Sequence, residues 1–157
     1  MRILVVSDTH GNQAALLRAH EAAGRCEAII HLGDGEEDAA LLAALDEGCT
    51  VVRLAGNCDL GSMAPRELIH EWAGVRLLLC HGDRYGVKGG LARLLEQGRA
   101  TGVDAVLYGH THLAQAVRQE GIWLINPGTL AAPATFHSYA SLEITPAGLQ
   151  ATIHPLP

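Results

Sequence analysis

With 157 residues, 48% hydrophobic and 18% charged, the chain is sized and composed for one globular domain, residues 1–157, with an ordinary core. Eleven Lys and Arg against 17 Asp and Glu give a formal net charge of −6, which argues against a long nucleic acid as partner, because binding a phosphate backbone relies on basic patches. Two Trp, three Tyr and one Phe are too few for a platform of rings stacked on bases.

The first apolar run, Ile3-Leu4-Val5-Val6, reads as a buried strand and ends in Ser7-Asp8-Thr9-His10. Asn12 is placed to cap a helix over Gln13 to Ala23 that Gly24 ends. A second strand, Ala28 to Leu32, runs into Gly33-Asp34. Glu36, Glu37 and Asp38 then form the acidic first turn of a helix, a solvated start suited to the helix dipole, with Leu41, Leu42 and Leu45 turned to the core. A third strand, Val51 to Ala55, ends in Gly56-Asn57-Cys58-Asp59. Glu67 to Trp72 and Val75 to Cys80 form a strand pair about a turn at Ala73-Gly74, and the second runs into His81-Gly82-Asp83. Val87 to Ala100 reads as a helix with Leu91, Leu94 and Leu95 on one face, and the strand Ala105 to Tyr108 runs into Gly109-His110-Thr111-His112. From Ala114 onward, Ala114 to Arg118, Ile122 to Ile125, Ser138 to Ile144 and Leu149 to His154 read as antiparallel strands. The expected fold class is α/β, parallel early and antiparallel late.

Cys26, Cys49, Cys58 and Cys80 include no CxxC pair, and only four apolar residues separate Met1-Arg2 from Ser7, shorter than the core of an export signal. No stretch approaches the ~20 apolar residues of a membrane span. The expectation is a reduced cytoplasmic setting without a membrane partner.

Five apolar runs thus end in metal-type ligands. Active sites of open α/β sheets form at the carboxyl ends of strands, which would gather Asp8, His10, Asp34, Asn57, His81, His110 and His112. In Asp8-x-His10 and His110-x-His112, an extended chain would point both ligands to one side. Gly33, Gly56 and Gly109 precede ligands where a bare backbone allows sharp turns and close approach. Seven oxygen and nitrogen donors are too many for one ion and suit two that share a carboxylate. Donors of these types suit Mn, Fe, Zn, Ni or Mg, and two such ions can clamp a phosphate and activate a water. The pattern is that of a dinuclear metal hydrolase.

The ordered set Asp8-x-His10, Gly33-Asp34, Gly56-Asn57, His81-Gly82 and Gly109-His110-Thr111-His112 resembles the calcineurin-like metallophosphoesterases, above all their small bacterial and archaeal phosphodiesterase branch. Asn126-Pro127-Gly128-Thr129 and Ser138-Tyr139-Ala140 are similar to C-terminal signatures of that branch. The resemblance implies a four-layer α-β-β-α sandwich of two mixed sheets flanked by helices. It implies one metal on Asp8, His10, Asp34 and His112 and another on Asp34, Asn57, His81 and His110, with manganese the first expectation. It also implies a water or hydroxide bridging the metals as nucleophile and a small phosphodiester as substrate. The residues expected to serve the reaction itself are Asn57, Cys58, Asp59, His81 and His110.

Cys58 stands where larger members of the family carry a histidine held to protonate the leaving oxygen. A thiol is a weak donor, so Asp59, another histidine or a bound water would have to serve. Cys80 is expected to pack in the core, Asp83 to pair with Arg84, and His31 to be a hydrogen-bonded strand residue. His20, His70 and His154 are expected at the surface or in structural roles, and for His137, which precedes a late strand, a place at the site's periphery is the lesser alternative. Pro133-Ala134 replaces a Pro-Arg pair frequent in relatives. Two other readings remain: a protein-binding scaffold on the same fold, and a dedicated nucleotide or cyclic-nucleotide phosphodiesterase.

Overall fold

The computed structural model describes residues 1–45 and 48–157. Strand β1 (Arg2–Val6) leads into helix α1 (Gln13–Ala23), followed by β2 (Ala28–His31), α2 (Asp38–Leu45) and β3 (Thr50–Arg53). A hairpin of β4 (Glu67–Trp72) and β5 (Val75–Cys80) precedes a short 3-10 turn (Asp83–Tyr85), helix α3 (Ala92–Thr101) and β6 (Ala105–Leu107). Two further hairpins close the chain: β7 (Gln115–Gln119) with β8 (Ile122–Asn126), and β9 (His137–Thr145) with β10 (Gly148–Leu156).

The strands form two five-stranded mixed sheets, ordered β10-β9-β1-β2-β3 and β4-β5-β6-β8-β7. In the first, β1, β2 and β3 are parallel; in the second, β5, β6 and β8 are. Alternation within the apolar runs explains the layering. Ile3 and Val5 face the second sheet, packed with Ile30, Leu77, Leu79 and Leu107, while Leu4 and Val6 face Leu16 and Ala19 of α1. On the far side, Leu78, Cys80 and Val106 pack beneath Leu94 and Leu95 of α3. Helices, sheet, sheet and helix make the expected four layers. Strands covered on both faces read as unbroken apolar runs, and Cys80 is core, its thiol pKa raised by burial.

Several boundaries differ from the sequence reading. Helix α3 begins at Ala92 and not at Val87, because Gly89 and the positive-φ Gly90 interrupt the segment before it. Helix α2 begins at Asp38. Its acidic entry is solvated only at Glu37: Glu36 and Asp38 are buried, the first paired with Arg53 at 3.1 Å. Of its leucines only Leu42 is fully buried, and Leu45, at the solvent end, is 62% exposed. Strand β8, expected among antiparallel neighbours, pairs antiparallel with β7 and parallel with β6. Ala73 and Gly74 both have positive φ and form the tight two-residue connection that the β4–β5 register requires. No helix among the described residues is long and apolar enough to cross a membrane.

Candidate metal centre

The carboxyl ends of β1, β2 and β3 in one sheet meet those of β5 and β6 in the other, and their trailing loops are stitched together by backbone hydrogen bonds. Asp8 N donates to Gly33 O at 3.0 Å, His10 N to Asp34 O at 3.1 Å, and Gly109 N to His81 O at 2.9 Å. The approach depends on missing side chains. A Cβ on Gly33 would stand 2.6 Å from Gly56 N, one on Gly56 would collide with the Asp34 carboxylate, and one on Gly109 with Ser7 and Asp8.

Asp8, His10, Asp34, His110 and His112 all have positive φ, and they make up five of the seven non-glycine residues in that state among the described residues. Left-handed backbone costs roughly 1–2 kcal/mol per residue, and strain of this kind gathers at functional sites. The result also corrects the sequence account of Asp8-x-His10 and His110-x-His112. Their side chains converge from left-handed turns beyond the strands and not from alternation along an extended chain.

Each buried aspartate divides its two oxygens. Asp8 Oδ2 accepts from Ser7 Oγ and from His110 N at 3.0 Å, leaving Oδ1 at 3.1 Å from His112 Nε2 and 3.8 Å from His10 Nε2. Asp34 Oδ1 accepts from Cys58 N at 2.7 Å, and its Oδ2 lies 3.3 Å from His81 Nε2 and 3.8 Å from His10 Nε2. His81 Nε2 is also 3.1 Å from Asn57 Oδ1, and the His81 and His110 rings are 5.0 Å apart. All seven donors expected from the sequence therefore border one space. Within it, donor atoms of Asp8, His10 and His112, of Asp34, His81 and His110, and of His10, Asp34 and Cys58 lie close enough to share an ion.

The tautomer of His81 tests whether a cation fits. Its Nδ1 is 2.9 Å from the Leu32 carbonyl, which only accepts, so Nδ1 carries the proton and a neutral ring turns its Nε2 lone pair toward Asp34 and Asn57. Acceptors facing acceptors need a positive charge between them. Burial opposes a charged ring, but the hydrogen bond to Asp34 and the charges of Asp8 and Asp34 outweigh it, and the His81 pKa is raised, the direction in which a positive charge is favoured here. Asp34 is also buried, yet His81 and the Cys58 N–H hold its pKa well below the usual carboxylate range. Burial, reinforced by the charges of His81 and Lys88, lowers the pKa of His110. Neutral imidazoles and ionised carboxylates are what a divalent cation takes.

Asp59 does not point at this space as a proton donor. Its carboxylate accepts backbone N–H groups from Asp34, Gly35 and Gly56 at 2.7 Å each and from Glu36 at 3.3 Å. Cys58 has an exposed thiol whose pKa is raised by burial of its surroundings and by Asp34, and its backbone N–H, not its sulfur, holds the shared carboxylate. Around the ligands stands a layer the sequence reading did not assign. Asn126 Nδ2 donates to Gly109 O and Thr111 Oγ1, both at 3.0 Å, and fixes the His110–His112 turn. Thr129 Oγ1 donates to Asp8 O at 2.9 Å. Thr9 Oγ1 donates to the buried Asp38 at 2.6 Å and meets His31 Nε2 at 3.0 Å. A signal for Asn126 existed, since Ile122 to Ile125 is one more apolar run ending in a polar cluster. Asn12 caps α1 through Ala15 N and also donates to Leu130 O at 2.7 Å. His137 Nε2 contacts the Ala131 carbonyl at 2.8 Å, and His154 stacks on Tyr139. Among the described residues Asp83 forms no ion pair with Arg84.

Known proteins carry the same chain plan. A probable metallophosphoesterase of Bacillus subtilis, YsnB, is 32% identical over 149 residues, covering 92% of this chain and 85% of its own. The phosphodiesterase YfcE of Escherichia coli K12 is 30% identical over 158 residues, covering 85% of this chain and 81% of its own. The crystal structure of Vps29 from Entamoeba histolytica complexed with Zn2+ superposes with a TM-score of 0.75 over the whole of both chains at 20% identity, a likeness of fold. The sequence pattern of the calcineurin-like phosphoesterase superfamily domain matches residues 1–146, a span that takes in every donor described above and every strand except β10. By this match and these relatives, the chain belongs to the calcineurin-like phosphoesterase superfamily.

Proposed function

We propose that the chain is an enzyme that hydrolyses small phosphodiesters with the help of two divalent cations. The carrying observation is the division of labour in the two buried aspartates, each with one oxygen held by a backbone N–H and the other left facing a cluster of imidazoles. Asp8, His10, Asp34 and His112 would hold one ion, and Asp34, Asn57, His81 and His110 the other, with manganese first and nickel, zinc, iron or magnesium as alternatives. Such a pair lowers the pKa of a water and neutralises charge on the phosphate oxygens.

The chain's own residues set the geometry. Leu32 O holds the His81 tautomer, Asp59 holds the loops of Asp34 and Asn57 in register, and Asn126 holds the His110 turn. A raised Cys58 pKa keeps that thiol protonated at neutral pH, where it is too weak an acid to drive off a poor leaving group. Diesters with good leaving groups are therefore favoured over alkyl monoesters.

The test is turnover of bis(p-nitrophenyl) phosphate and p-nitrophenyl phosphate by metal-stripped protein resupplied with Mn, Ni, Zn or Mg. Diester turnover should return with metal and fall by at least about a hundredfold in Asp34→Asn and His81→Ala, a loss typical for groups that organise a metal site. Folded protein that binds metal and turns over neither ester would overturn the reading.

A further inference from the structure

A groove of about 580 Å³ opens directly from the candidate metal centre, with His112 in its wall. Leu113, Ala114, Pro133, Ala134 and Phe136 form most of the rest, and no Lys, Arg, Asp or Glu lines it among the described residues. Leu113 is 73% exposed and Phe136, the chain's one phenylalanine, is 58% exposed. Neither packs in any of the three cores. A second cavity, beside Cys58 and Leu60, is lined by Glu36, Glu37, Asp38 and Asp59.

The groove is braced to the ligands. Thr129, in its floor, donates to the Asp8 carbonyl, Leu130 N donates to the same oxygen at 3.3 Å, and Asn12 holds Leu130 O. The opposite wall follows His112 in sequence. A group lying there is thus fixed relative to Asp8 and His112 without rearrangement, which limits the cost of binding.

Given the phosphodiesterase reading above, on which this rests, we infer that the groove takes an uncharged apolar arm of the substrate, an aryl or short alkyl ester group, with the phosphoryl group at His112. Leu113 and Phe136 are its specificity-determining residues. Within the groove a nucleotide polyphosphate finds no Lys or Arg among the described lining residues; Lys88 lines the adjoining cavity that shares Leu113 and Ala114.

The experiment compares phenylphosphonate, methylphosphonate and 2-carboxyethylphosphonate on the manganese-supplied full chain, by inhibition of bis(p-nitrophenyl) phosphate turnover and by NMR of the Leu113 methyls and Phe136 ring. Phenylphosphonate should inhibit about tenfold more strongly than methylphosphonate, the worth of burying roughly half of a ring's surface in an open groove. It alone should shift both sets of resonances. Leu113→Ser and Phe136→Ser should each bring the ratio toward one, with methylphosphonate inhibition and metal content unchanged. A ratio near one in the native chain, a ratio unaffected by both variants, or preference for the carboxylate-bearing phosphonate would overturn the inference. Loss of turnover with the resonance shifts retained would count against the phosphodiesterase reading and leave the groove standing; turnover without selectivity would do the reverse.

Discussion

Asp59 and Cys58 adjoin in sequence, and both were expected to meet the substrate, but their geometry separates their work. Four backbone N–H groups converge on the Asp59 carboxylate. Asp59→Asn would turn an amide donor against some of them, leaving buried donors unmatched at about 1–3 kcal/mol. The expected outcome is a lower melting temperature, together with weaker metal uptake, measured by calorimetry and metal analysis on the same sample. Cys58 contributes a backbone N–H that any residue except proline supplies. Cys58→Ser should therefore keep diester turnover within about threefold of the native chain, the range of a surface change of roughly 0.5 kcal/mol. A hundredfold loss would make the thiol itself part of the chemistry.

At the scale of elements, the site is made where loops from two sheets touch through glycine. Gly56 has no left-handed backbone to explain it; its place is steric, since a Cβ would lie only 2.2 Å from Asp34 Oδ1. Gly56→Ala should push the Asp34 carboxylate off the Cys58 N–H and lower metal affinity more than stability. Titration of metal into stripped protein, beside urea unfolding, separates the two effects, and unchanged affinity would show that the loop yields without cost. Boundaries were legible where capping and turn chemistry are local, as at Asn12, Gly24 and Ala73-Gly74. They were misread at α2 and α3. At α2 the start is set at a distance, by Asp38 reaching Thr9, whereas at α3 the Gly89-Gly90 break was a local signal that the reading passed over.

For the molecule as a whole, stability should depend on acidity through His31, which is wholly buried between β1 and β3. Its Nδ1 accepts from Gly33 N at 3.2 Å and its Nε2 faces Thr9, so the ring is neutral, and burial lowers its pKa to about 4 despite nearby carboxylates. The unfolded chain takes up that proton near 6.5 and the folded chain only near 4. The contribution is therefore full above pH 6.5 and is lost as pH falls toward 4, by about 3 kcal/mol at ~1.4 kcal/mol per pKa unit. His81, with a raised pKa, acts in the opposite sense in metal-free protein. The measurement is the difference in unfolding free energy between the native chain and His31→Gln from pH 7 to 4.5. A difference that stays constant over that interval would remove His31 as the cause.

The order of apolar runs and terminal ligands was enough, by itself, to single out seven side chains that the fold gathers and to give the α/β class; the four layers were implied by the family resemblance. The first two depend on local composition: strands buried on two faces must be apolar throughout, and metal ligands come from few residue types. Other features were decided only when the sheets packed. The left-handed turns at Asp8 and His112, the saturation of Asp59, the bracing by Asn126 and Thr129, and the groove beside Phe136 all join residues from different strands and loops. A side chain's hydrogen-bond partners, and hence whether it gives a proton, holds a loop or faces a substrate, are properties of neighbours brought from afar. No pattern along the chain encodes them.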